Sequence, residues 1–344
     1  MSGEVMKKVT LEMLAMKAGV GIATVDRVLN ERGGVKPETV RKVLNAARKA
    51  GLQRLLPEEA SQPWKIEVFL SSQESFFFRQ LAKEFAAVAD TLGYKKITLY
   101  RTLVPESSPE KLAKKIIESS SQRDGIVVFG HDYPVIHEAL AHCKTKGIPV
   151  ITLATDIPDA ERLCHVGIDQ QQAGATAGLL MSKTTPGEGD VILVSGRMDF
   201  RAHTQRVAGF RDVLQQRSPQ LNLRSVLAGQ DEKQRIRSLL NNTLRTAKNV
   251  VGIYNTGTGN SDIADILKQH QLAGECTYIT HELYSVTKQL LLDDVLDFTL
   301  DQNAQQHAAL ALNIMLRHLE QGFMPDVYQD GKVALKITTA ETLG

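Results

Sequence analysis

Near the start of the chain, apolar residues recur at the spacing of a helix's buried stripe: Leu11, Leu14, Ala15 and Ala18 follow Thr10, a residue suited to capping a helix start. Gly19 ends that run, and only Gly19, Val20 and Gly21 separate it from a second one with Val25, Val28 and Leu29 inward. So short a turn makes two packed helices cross steeply, which predicts a helix-turn-helix. After a turn at Gly33 and Gly34, Pro37 sits well at a helix start, and Val40, Val43, Leu44 and Ala47 supply a third stripe. An all-α headpiece of three short helices around one small core is expected over residues 1–56.

From Trp64 the pattern changes to short β-branched runs alternating with amphipathic stretches. IEVFL, ITLY, GIVVF, PVITLA and HVGID come first, then VILVS, LRSVLA, VVGIY, YIT and DFTLD, with a helix-length segment expected between each pair. That rhythm predicts an α/β domain of parallel sheets covered on both faces by helices, and ten strands suit two sheets, hence two lobes, better than one. KVALKI reads as a further strand, with no heptad pattern after it to assemble tetramers.

Ligands of such folds bind beyond the carboxyl ends of strands, here in the cleft between lobes. After the first strand, Phe77 and Phe78 are placed to stack on the apolar face of a sugar ring, although Phe76, Phe77 and Phe78 also read as core of the following helix. After the sixth, His203 and Arg206 lie at a helix start, where Arg206 can hold two hydroxyls or serve as an ion-pair partner. Asn255 follows the eighth strand, and Asp301 and Gln302 follow the tenth. These are the donors and acceptors a polyol requires.

In the headpiece, Ile22, Ala23, Asp26 and Arg27 fall on the outer face of the second helix, whose first turns can enter a major groove. Arg27 can donate two bonds to guanine, Ile22 and Ala23 can touch thymine methyls, and Asp26 either accepts from cytosine or pairs with a nearby cation. Thr10, Thr24, Lys36 and Thr39 lie near helix starts or turns, where they can hold phosphates. Plain helix packing is the other reading of the three-helix pattern.

Charge changes this picture. The net +2 of the 344 residues conceals eleven Lys and Arg against five Asp and Glu in residues 1–56, which leaves the rest at −4. A basic unit on a mildly acidic body points to a polyanionic partner for the first part only. Cys143, Cys164 and Cys276 show no CxxC spacing, His137 and His142 stand off a common helical face, and no HExxH occurs, so neither disulfide nor metal is expected. GTGN at 257–260 lacks the Lys and Ser of a phosphate loop and reads as a turn. With no GxSxG elbow and no placeable triad, neither an enzyme nor a cofactor is expected. No long apolar run appears and MSGEVMKKVT does not resemble a secretory leader, so the expected location is the cytoplasm, away from membranes.

Residues 9–52 resemble, without a gap, the headpiece of the lactose-repressor (LacI) family in AGV, TVDRVLN, GGVKPETVRKV and AGL. The resemblance implies that Ile22, Ala23 and Arg27 read bases, while Thr24 and Asn30 support the headpiece and contact phosphate. Gly21 and Asp26 depart from it, each standing where the family usually has Ser. Where the family has an Ala-rich hinge helix with a Leu wedge, this chain reads LQRLLPEEASQPWK; Pro57, Pro63, Glu58 and Glu59 oppose such a helix, so 57–64 is expected as linker without an inserted wedge, Leu55 and Leu56 being the candidates only where such a helix forms.

Residues 64–344 resemble the family's effector domain and its periplasmic sugar-binding relatives. Ser75, Phe77 and Phe78 match the Asn-Pro-Phe-Phe region, Arg206 the RxxGF arginine, and Gln302 the glutamine after the last crossover strand. Three crossovers are implied, placing 65–168 and 301–328 in one lobe and 169–300 and 329–344 in the other. YNTGTGN and THEL depart from the family's signatures at Asn255, His281 and Glu282. The implied protein is a homodimeric repressor of double-stranded operator DNA controlled by a sugar or polyol. The alternative is a sugar-binding protein or sugar-processing enzyme without a DNA role.

Overall fold

In the computed structural model, which describes residues 9–30, 32, 34–50, 52, 63–94 and 96–343, α1 (Leu11–Ala18) starts where Thr10 Oγ1 accepts from Met13 N at 3.3 Å. It ends at Gly19, whose φ of 65° is one that residues with a Cβ resist. α2 (Ile22–Leu29) begins at Gly21 with no side-chain cap, and α3 (Pro37–Lys49) follows. Leu14, Ala15, Val25, Val28, Leu29, Val43, Leu44 and Ala47 close one core among the three helices. Leu11 is 37% exposed, because its place in the first turn overhangs the end of the buried stripe. Of the expected linker, positions 57–62 lie outside the described residues, as do Leu55, Leu56 and Gly33.

Contacts divide the chain into this helical unit, up to Pro63, and a body from Trp64 onward. The body runs β1 (Trp64–Ser71), α4 (Phe76–Leu92), β2 (Ile97–Val104), α5 (Pro109–Ser119), β3 (Gly125–Val128), α6 (Pro134–Thr145), β4 (Val150–Leu153) and β5 (Cys164–Val166). There follow α7 (Gln170–Thr184), β6 (Gly189–Ser195), α8 (Arg201–Arg217), β7 (Leu221–Ala228), α9 (Lys233–Thr246), β8 (Val250–Asn255) and α10 (Asn260–Gln269). The last elements are β9 (Thr277–His281), α11 (Ser285–Leu292), β10 (Phe298–Asp301), α12 (Ala304–Gln321) and β11 (Lys336–Thr338).

Two sheets result, as the alternating pattern predicts. One has the order β2-β1-β3-β4-β5 and is parallel throughout; the other has the order β11-β10-β9-β8-β6-β7 and is parallel except for β11. Alternate residues serve opposite faces: Ile66, Val68 and Leu70 pack with α4 and α12, while Phe69 packs with α5 and α6. Between β4 and β5 the expected helix-length segment holds only turns, since ATDIPDAERL carries a proline and polar groups in place of an apolar stripe. Residues 327–333 run beside β5, with His165 N donating to Val327 O at 2.8 Å and Val333 N to Gly167 O at 2.9 Å. The chain therefore leaves the first lobe between Val333 and β11, a few residues beyond the boundary expected at 328.

Each sheet reverses its strand order once, between β1 and β3 in the first and between β6 and β8 in the second. The loops leaving those strands open a crevice, the usual ligand position of open α/β sheets. α7 and α8 pack at backbone contact: a Cβ on Gly174 would meet the Arg206 carbonyl, and one on Gly209 the Gln171 carbonyl. That approach fixes where α8 presents its inward residues.

Candidate functional site

The strand-end loops of both lobes enclose a cavity of about 290 Å³, close to the lower end of the roughly 300–1,000 Å³ of small-molecule pockets. Ser75, Phe77, Phe78, His203, Arg206, His281, Glu282 and Gln302 all line it.

Arg206 is 3% exposed and held by two bonds, Nε to Gln170 Oε1 and Nη1 to the Thr256 carbonyl, both at 2.7 Å. Gln170 Nε2 donates in turn to the Ala154 carbonyl at 2.9 Å and to Gln302 Oε1 at 3.2 Å, and Gln302 Nε2 donates to Glu282 Oε1 at 2.5 Å. Guanidinium, two amides and a carboxyl thus form one line of bonds through two of the interlobe crossovers. Burial lowers the Arg206 pKa and raises that of Glu282 to about 8, with Asp301 adding to the latter. Burial also keeps the histidines neutral: His203 falls to about 4, while His281, near the Arg206 charge, falls well below its ordinary value. His203 Nδ1 pairs with Thr256 Oγ1 at 3.0 Å and His281 Nε2 with the Tyr254 hydroxyl at 2.8 Å.

Ser75 spends its hydroxyl capping α4, accepting from Phe78 N at 3.3 Å. Phe77 and Phe78 are half-buried and meet edge to face at 5.6 Å; both form cavity wall, and Phe77 also packs against the core. Asn255 and Asp301 do not line the cavity. The Asn255 amide folds its own loop by donating to the Gly257 and Thr258 carbonyls and to Asn260 Oδ1, and Asp301 accepts from Asn303 N at 2.9 Å ahead of α12.

Several lining groups escaped the sequence reading. Phe76 stacks on Tyr284 across the lobes, with ring centres 4.7 Å apart. Phe200 stacks on His131 at 3.7 Å, and Glu106 lies 3.7 Å from Arg197, which binds Asp199 behind the lining. The Asp231 carboxylate lies 3.9 Å from His203 Nε2. The strand-end rule applied to β2 and β7 would have found Glu106 and Asp231.

In the helical unit, Ile22 is 46% exposed, and Ala23 and Arg27 are exposed beside it on one side of α2. Thr10, Asn30 and Lys36 are exposed, and Thr24 and Thr39 half-buried. Asp26 accepts from Asn30 Nδ2 at 2.7 Å and from Arg32 Nη1 at 2.9 Å. All three cysteines are buried. Among the described residues no cluster is arranged to hold a metal, and no helix is long and apolar enough to cross a membrane.

The family described as periplasmic binding protein domain matches residues 66–322, and the lacI family of bacterial regulatory proteins matches residues 10–53. Catabolite control protein A of Staphylococcus epidermidis is 27% identical over 220 residues, covering 62% of this chain and 64% of that protein. Its counterpart from Staphylococcus aureus is 30% identical over 224 residues, covering 62% and 63%. The chain thus spans less than two thirds of these relatives. Among solved structures, a glucose-galactose binding protein from Geobacillus stearothermophilus superposes with a TM-score of 0.74 at 19% identity, over 82% of this chain and 99% of that one. An ABC transporter solute binding protein from Burkholderia graminis in complex with D-arabinose gives 0.75 at 20% identity, over 83% and 98%. These likenesses establish the fold.

Proposed function

We propose, from the premise that this chain belongs to the periplasmic binding protein domain family and carries a lacI-family regulatory domain at residues 10–53, that it is a transcriptional regulator, acting as a repressor. Its operator affinity is set by a sugar or polyol bound between the lobes. The observation that carries the reading is α2, which buries Val25, Val28 and Leu29 while leaving Ile22, Ala23 and Arg27 outward in a basic unit. A helix so arranged is ready to present side chains to a major groove.

The cavity supports the effector half of the reading: a fixed guanidinium, amides and carboxyls converge beside phenyl rings, the mixture that binds the polar edge and apolar face of a sugar. The catabolite control proteins support the regulatory half. The active form is a homodimer in the cytoplasm, because one headpiece makes too few contacts for useful specificity and a pair reads two half-sites. Coupling of about 1 to 3 kcal/mol, typical of allostery, changes operator affinity roughly 5- to 150-fold. Gel-shift selection from genomic fragments tests the DNA half, and a thermal-shift screen of sugars and polyols tests the effector half. A retained fragment and a stabilising sugar are expected; failure to retain any fragment at low salt contradicts the regulator.

A further inference from the structure

Charge is unevenly supplied to the cavity. Two carboxylates with little exposure line it, Glu106 and Asp231, together with the Glu282 carboxyl, which burial holds protonated near neutral pH, against one buried guanidinium, Arg206. Two of the Arg206 nitrogens are already committed, one to Gln170 and one to the Thr256 carbonyl. His203 and His281 add no positive charge, because burial keeps both neutral. The remaining charged lining residues, Glu74, Arg79 and Lys233, are exposed, where solvent screens them.

Asp231 is held in place with unusual care. Oδ1 accepts from Thr258 N at 2.8 Å and Oδ2 from Arg197 N at 3.2 Å. Gly196 and Gly257 make room for it: a Cβ on either would collide with a carboxylate oxygen. Gln230 and Asp231 themselves adopt φ of 54° and 60°, and Glu282 adopts 69°, left-handed backbone that residues with a Cβ resist. Such conformations persist only where the surroundings enforce them, and they gather at functional sites. Asp231 and Glu282 are therefore both delivered to the cavity on strained backbone.

Carboxylates at the wall of a small cavity accept hydrogen bonds from hydroxyl groups. A phosphate or a second carboxylate brought against Asp231 and Glu106 is desolvated beside like charges, with Arg206 in the cavity and Arg197 beside Glu106 to offset them. We propose that this cleft selects an uncharged polyhydroxyl ligand and rejects its phosphate ester and its acid, with Asp231 the residue that sets the discrimination. This rests on the sugar-effector reading above and adds the ligand's charge class to it.

Titration calorimetry of the full chain with D-glucose, D-galactose and D-allose, each beside its 6-phosphate and its uronic acid, tests the proposal. A neutral sugar is expected to bind at least about tenfold tighter than both charged forms, a difference of about 1.4 kcal/mol. Asp231→Asn should narrow that ratio, and Glu106→Gln should narrow it independently should the first variant fail to fold. A phosphate or acid that binds as tightly as its neutral parent overturns the inference while leaving a polyhydroxyl effector standing. A panel in which no member binds overturns both, and an unchanged ratio in a folded Asp231→Asn removes Asp231 from the assignment.

Discussion

Arg27 stands exposed on α2 beside Ile22 and Ala23, so its fork of donors is free for a base edge. Arg27→Ala should lose about 1–3 kcal/mol of discrimination at one base pair, measured by competition among operator variants; unchanged selectivity would remove Arg27 from base reading. Arg206→Ala should abolish the effect of sugar on DNA binding while operator affinity without sugar is kept, and a retained response would exclude the cleft arginine. Glu282 and the buried histidines act on stability in opposite senses. His131, His165, His203 and His307 are lowered to about 4 by burial, so the unfolded chain binds more protons between about pH 4 and 6.5 and stability rises with pH there. Glu282 is raised to about 8, so the folded chain binds its proton more tightly, and that contribution is lost as pH rises from about 4.5 to 8. The body's melting temperature should climb to about pH 6.5 and then fall toward pH 8. Glu282→Gln should flatten the fall, and a decline as steep as that of the unaltered chain would contradict the assignment.

At the scale of elements, α1 depends on its cap, and Thr10→Ala should cost about 1 kcal/mol of headpiece stability in thermal or urea unfolding. The α7 and α8 pair depends on close approach. Gly174→Ala pushes against the Arg206 carbonyl and should weaken sugar binding without altering the headpiece; calorimetry with an effector sugar showing unchanged affinity would contradict this. The headpiece helices and ten strands were legible because their apolar periods, 3.6 and 2, differ plainly and glycine or proline marks the ends. What the pattern missed was local. The segment between β4 and β5 forms turns, and the third crossing comes late because residues 327–333 add backbone bonds to the edge of β5, which no side-chain period records.

Across the whole molecule, the half of the site lying after strands with a strong polar or aromatic cluster could be read from the chain: Phe77, Phe78, His203, Arg206 and Gln302 all reach one cavity. Asn255 and Asp301 belong to the same strand ends but are absorbed by their own loops, and which amide is free for a ligand depends on bonds the sequence does not display. Asp231 and Glu106 lie more than a hundred positions apart in the chain, joined only by how the two lobes meet. The concentration of positive charge in residues 1–56 predicts that DNA affinity falls steeply between 50 and 200 mM salt; a flat dependence would count against phosphate anchoring. The central claim is linkage between cleft and headpiece, and linkage is reciprocal. Operator affinity should therefore be measured by fluorescence anisotropy with and without a saturating sugar, and sugar affinity with and without operator. The account predicts the same factor, between about 5 and 150, in both directions; two affinities that ignore each other would contradict it.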